Sequence, residues 1–130
     1  MKVLLVEDLA SVRAHLRELL ADVGQVELLI APQDFEAAMR IVLDSKAEAV
    51  ILDMCMRGSM TIDMMRAIKA ASPTTAVIVG TFYCQPFYRE TFLSLGADFF
   101  FDKSLEWDEL IEFLKALGGG QPFASETAAS

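Results

Sequence analysis

Short apolar runs alternate with helix-period segments from one end of the chain to the other. Lys2 to Val6, Val26 to Ala31, Ala49 to Asp53, Ala76 to Thr81 and Asp98 to Asp102 are brief and rich in β-branched or aromatic residues, which suits buried strands. Between them Leu9, Val12, Leu16, Leu19, Leu20 and Val23 recur at helical spacing. So do Phe35, Ala38, Met39 and Val42, then Ile62, Met65 and Ile68, and finally Trp107, Leu110, Ile111, Leu114 and Leu117. The punctuation agrees: Pro32 and Pro86 are placed for first helical turns, Gly24 and Gly96 for helix ends, and Ser72-Pro73 breaks the chain before the fourth strand. A βαβαβ pattern of this kind predicts an α/β fold: a doubly wound, five-stranded parallel sheet with five helices, flavodoxin-like, in strand order 2-1-3-4-5.

Length adds a limit. The chain has 130 residues, room for one domain, assigned to residues 1–117, with 118–130 read as a flexible, aperiodic tail. Hydrophobic residues make up 54% and charged residues 23%, enough for a core and a dissolved surface. The net charge of −8 and the lack of a basic run speak against direct nucleic-acid binding. No apolar run approaches the roughly 20 residues a bilayer span needs, and no signal peptide is visible, so a cytoplasmic location is expected. Two cysteines, Cys55 and Cys84, are too few for a disulfide framework and read as thiols.

In open α/β sheets ligands bind at the carboxyl ends of the strands. Few polar residues fall there: Glu7 and Asp8 after the first strand, Asp53 at the end of the third, Thr81 at the end of the fourth, Lys103 after the fifth. Three carboxylates packed together repel one another, so a divalent cation or the lysine has to compensate; Mg²⁺ fits, because carboxylates, water and phosphate oxygens are its usual ligands. Taken singly, each residue has an ordinary reading. Glu7 and Asp8 could cap a helix, Asp53 a turn; Lys103 could be a solvated lysine and Thr81 a strand residue. His15 reads as solvated, the methionines as packing.

Val3-Leu4-Leu5-Val6-Glu7-Asp8, Val50-Ile51-Leu52-Asp53, Val77-Ile78-Val79-Gly80-Thr81 and Gly96-Ala97-Asp98-Phe99-Phe100-Phe101-Asp102-Lys103 together resemble the four signatures of bacterial response-regulator receiver domains, of the single-domain, chemotaxis-regulator-like kind. The resemblance spans Lys2 to Leu117. It implies a phosphorylation switch in which Asp53 accepts a phosphoryl group from a sensor histidine kinase or a histidine phosphotransfer protein. By the same resemblance Asp8 and Asp53 ligate Mg²⁺, Glu7 acts through water, and the backbone carbonyl of Cys55 supplies a further oxygen. Lys103 pairs with the phosphoryl oxygens, Thr81 donates its hydroxyl to them, and Phe100 stands at the aromatic switch position. Output then passes to a downstream protein, or to a second copy in a homodimer, through the fourth helix, fifth strand and fifth helix. Such a domain is no enzyme beyond catalysing its own phosphorylation and dephosphorylation.

Three departures from the family pattern stand out. Ser104 follows Lys103 where proline is usual, so a trans peptide is expected. Arg57 and Thr61 replace a common proline and glycine four and eight residues after Asp53, leaving that loop's shape open. Two alternatives are weighed: a binding-only pseudo-receiver, and an Asp-nucleophile phosphohydrolase, which would want a second aspartate where Cys55 stands. Phe82, directly after Thr81, is expected either at the entrance to the acceptor, slowing phosphate loss together with Cys55, or turned into the core.

Overall fold

The apolar runs pair as parallel strands because their side chains can be buried on both faces at once. In the computed structural model, which describes residues 1–24 and 26–119, the order is β1 (Lys2–Val6), α1 (Ala10–Ala21), β2 (Glu27–Ala31), α2 (Phe35–Ser45), β3 (Ala49–Asp53), α3 (Met60–Ala71), β4 (Ala76–Thr81), α4 (Pro86–Ser94), β5 (Phe99–Asp102) and α5 (Trp107–Gly118). The strands form one five-stranded sheet in the order β2-β1-β3-β4-β5, all pairs parallel. This is the expected flavodoxin-like arrangement, with the second and fifth strands one residue shorter than the apolar runs.

Alternation along the strands divides the interior into two layers. Leu4, Val6, Val50, Leu52, Val77, Val79 and Phe100 face α2, α3 and α4, meeting Ala38, Val42, Met64, Met65, Ile68 and Phe92. Val3, Leu5, Ala49, Ile51, Ile78, Phe99 and Phe101 face α1 and α5, meeting Leu16, Leu20, Leu110, Ile111, Phe113 and Leu114. Phe100 therefore lies opposite Phe99 and Phe101, as the period of two requires. Complete burial of each phenylalanine is worth about 1.5–3 kcal/mol, which makes β5 a strong anchor despite its length.

Several local expectations need correction. Pro86 opens α4, but Pro32 lies before α2, whose start is set by Asp34: its side chain accepts a hydrogen bond from the Ala37 N–H at 2.9 Å. Neither Glu7 nor Asp8 is the N-cap of α1. Leu9 holds that position without a side-chain cap and is exposed, so it does not belong to the buried helix face; Phe35 also keeps 39% of its surface exposed. Gly96 ends α4 with φ +118°, a conformation other residues rarely adopt. α5 continues one residue past the expected boundary at Leu117, and the rest of the proposed tail, 120–130, lies outside the described residues. All described peptide bonds are trans, Lys103–Ser104 among them.

Candidate functional site

The same period of two that sorts the core also sorts the strand ends. Glu7, Asp53 and Lys103 continue the residues facing α1 and α5; Thr81 continues those facing α4. The first three meet. Lys103 Nζ lies 3.0 Å from Glu7 Oε1 and 3.5 Å from Asp53 Oδ2, with the Lys103 and Glu7 side chains each only 2% exposed. Glu7 also accepts from the Leu9 N–H through its other oxygen, at 3.3 Å. Asp53 is more open, its side chain 21% exposed, and its Oδ1 accepts from the Cys55 N–H at 2.9 Å. The result is a buried cation between two carboxylates, the less tightly held of which reaches solvent.

Lys103 is held at its main chain as well. Its N–H donates to the Thr81 carbonyl at 2.8 Å, and the Trp107 indole N–H donates to its carbonyl. Gly80 makes room for its stem. A Cβ there would sit 2.5 Å from Phe101 Cε1 and 3.2 Å from Lys103 Cε, so only glycine lets both side chains pass over β4. A lone glycine in an otherwise apolar strand is the sequence signal that could have picked out Gly80. The loop after Asp53 is tied by Thr61, whose hydroxyl donates to the Asp53 carbonyl at 2.7 Å, and it turns at Gly58 with φ +61°.

The other expected residues have hydrogen-bond partners of their own. Asp8 is exposed, and its Oδ1 accepts from the Gln33 N–H at 2.9 Å; it borders a cleft of about 370 Å³ lined also by Asp34, Phe35, Arg57 and Met60. Among the described residues no three His, Cys, Asp or Glu side chains form a group that could hold a metal ion. Lys103 lies against Glu7 and balances its charge. Thr81 is buried and its Oγ1 accepts from the Tyr83 N–H at 2.9 Å. Phe100 is fully buried on the same face as Thr81, its ring centroid 5.9 Å from that of Phe92. His15 is exposed, as expected, with its ring edge-on to Trp107 at 4.9 Å.

A five-stranded sheet with an acid–lysine–acid cluster at its carboxyl edge agrees with the comparison with protein families, where the response regulator receiver domain matches residues 3–115. The chain belongs to that family. It is a receiver domain of two-component signalling, and receiver domains are signalling domains, not classical enzymes. A nitrate/nitrite response regulator homologue from Haemophilus influenzae is 23% identical over 127 residues, covering 98% of this chain and 61% of that protein. The transcriptional regulatory protein DltR of Streptococcus agalactiae serotype III is 30% identical over 112 residues, covering 85% of this chain and 49% of that protein. The chain thus spans between about half and three fifths of these curated relatives. Among solved structures, the isolated receiver domain of RcsB from Salmonella enterica serovar Typhimurium, studied with the phosphomimetic BeF3⁻, superposes with a TM-score of 0.80 at 25% identity, over 95% of this chain and 91% of that one. A receiver domain from Colwellia psychrerythraea gives 0.79 at 24% identity, over 92% and 98%. No described helix of this receiver is long and apolar enough to cross a membrane.

Proposed function

We propose that this receiver is a phosphorylation switch whose acceptor is Asp53, charged by the phosphohistidine of a sensor kinase or phosphotransfer protein. The observation that carries the reading is the shared ammonium. Lys103 is buried between Glu7 and Asp53, and of the two carboxylates only Asp53 is open to an incoming donor. Attack by an Asp53 oxygen forms a P–O bond as the P–N bond of the donor breaks, with the electron pair leaving on the imidazole nitrogen. Such transfer asks mainly for positioning and charge neutralisation. Asp53 is positioned by the Cys55 N–H and by Thr61 on its carbonyl. Lys103 neutralises, moving from its carboxylates toward the phosphoryl oxygens.

Mg²⁺ fits the donor set in kind. β1 and β3 are neighbours, so their ends bring Asp8 and Asp53 to the same edge, and Mg²⁺ is commonly held by one or two carboxylates with water and phosphate oxygens and no closed protein cage. When bound it would neutralise charge on the transferred group; Asp8, Asp53 and the Cys55 carbonyl would hold it, with Glu7 behind them. Thr81 would turn its hydroxyl from the Tyr83 N–H toward the phosphoryl group. Phe100 on the same face would then repack and alter the α4–β5–α5 surface offered to a downstream protein or a second copy. Phosphate would leave by hydrolysis in the same site, and the domain would work in the cytoplasm beside its donor. A phosphohydrolase is disfavoured because Cys55, exposed and two residues after Asp53, cannot act as a carboxylate acid or base.

Acetyl phosphate with Mg²⁺ should add one phosphoryl group to the wild-type chain by intact mass, and Asp53→Asn should abolish the addition while the thermal melt remains cooperative. Undiminished labelling of that variant overturns the assignment. A folded wild type that accepts no phosphoryl group would instead favour the binding-only pseudo-receiver.

A further inference from the structure

Phe82 follows Thr81 directly, and its ring belongs to neither layer of the core: the residue is 49% exposed. The part that is covered lies against the site. Lys103 Nζ is 5.4 Å from the Phe82 ring centroid, within range of a cation–π attraction, while the Lys103 side chain itself is only 2% exposed. Glu7 and Asp53 account for two sides of the ammonium, and the ring covers a third. The turn that carries Phe82 is pinned, because the Thr81 hydroxyl oxygen, one residue before it, accepts from the N–H of Tyr83, one residue after it. The ring is thus a cover tied to the residue that would bind phosphate.

We propose that Phe82 is a lid on Lys103 that sets how fast phosphoryl groups enter and leave Asp53, and that Thr81 is its latch. The proposal rests on the reading of Asp53 as acceptor. The ring flanks the ammonium on a side that neither Glu7 nor Asp53 takes, so a phosphoryl group on Asp53 meets the ring as its oxygens engage Lys103. In hydrolysis a water oxygen attacks phosphorus, the bond from phosphorus to the Asp53 oxygen breaks with its electron pair returning to the carboxylate, and inorganic phosphate departs with the water's protons shared between it and solvent. An apolar ring over the lysine obstructs the water as it does the donor. Loading and spontaneous loss are therefore both slowed by one side chain, which makes Phe82 protective of the signal.

The test compares wild type, Phe82→Ala, Phe82→Leu and Thr81→Ala in two measurements. The first needs no phosphorylation: reductive methylation of Lys103, read by peptide mass, with Lys69 as internal reference for general loosening. Relative to Lys69, methylation of Lys103 should rise several-fold in Phe82→Ala and in Thr81→Ala and less in Phe82→Leu, which keeps bulk but has no aromatic face. The second follows loading from acetyl phosphate with Mg²⁺ and loss after donor removal; both should be several-fold faster in Phe82→Ala. Unchanged Lys103 methylation in Phe82→Ala, or faster methylation with unchanged phosphate loss, overturns the lid. If Lys103 becomes reactive while even wild type accepts no phosphoryl group, the cover over Lys103 stands and the reading of Asp53 falls.

Discussion

Two of the cations around β5, Arg89 and Lys103, are held in opposite ways. Arg89, on α4, donates to the Phe100 carbonyl at 2.8 Å and to Glu106, lies 3.6 Å from Cys84 Sγ, and stacks 5.5 Å from the Phe100 ring centroid. Glu106 is itself fastened, accepting from the Asp102 N–H at 2.8 Å. Burial works against the charge of Arg89, but the hydrogen bond and charge of Glu106, helped by Cys84, outweigh it and raise the guanidinium's pKa. Lys103 is more deeply buried and yet less committed. Its point charge is shared by two carboxylates at unequal distances, with no main-chain acceptor for its side chain among the described residues. A planar fork with each arm assigned is a fastener; a single ammonium between two similar partners can change partners at small cost. What separates the two cations is the number of fixed acceptors, not the depth of burial.

The largest break in that comparison should come from Lys103→Ala. It strips the partner from a buried Glu7, and unfolding in urea should show a loss of about 3–5 kcal/mol, the range for orphaning one member of a buried pair. Because a cation of any kind could then balance the carboxylates, Mg²⁺ should raise the midpoint of this variant more than that of wild type. A loss no larger than a surface lysine's, or a variant that ignores Mg²⁺, would mean that Glu7 is not compensated by Lys103. Gly80→Ala comes next. The added methyl group collides with Phe101 and crowds the lysine stem, so a loss of about 1–3 kcal/mol is expected, together with slower loading of Asp53. Full stability with normal loading would show that Phe101 can swing aside. Arg89→Ala should cost least, about 1–2 kcal/mol after allowance for solvent screening of a half-buried pair. Arg89→Lys should recover only part of it, since an ammonium lacks the two separate, planar nitrogens with which Arg89 reaches Phe100 and Glu106. Full recovery in that variant would erase the distinction between fork and point charge, and loss of Asp53 loading in either variant would show that the two cations are coupled.

Much of this was legible in the chain. The five apolar runs, their parallel order and the polar residues at their carboxyl ends are local patterns, and hydrophobic burial on both faces leaves few other solutions. Even the side on which Glu7, Asp53 and Lys103 gather follows from the period of two, though it takes counting from the core residues toward the strand ends to see it. Other features depended on neighbours distant in sequence. Asp8 serves the Gln33 N–H instead of a helix end, because the chain leaving β2 passes beside it. Pro32 lost the helix start to Asp34, whose carboxylate reaches an N–H that proline does not satisfy. Whether Phe82 would enter the core or cover the site was likewise open until Lys103 was placed beneath it. Sequence alone determined which residues reach the edge of the sheet, since backbone geometry and burial act over a few positions. Only the tertiary structure decided which charge faces which, because a buried ion's partner is whichever opposite charge the packing of separate strands brings within a few ångströms.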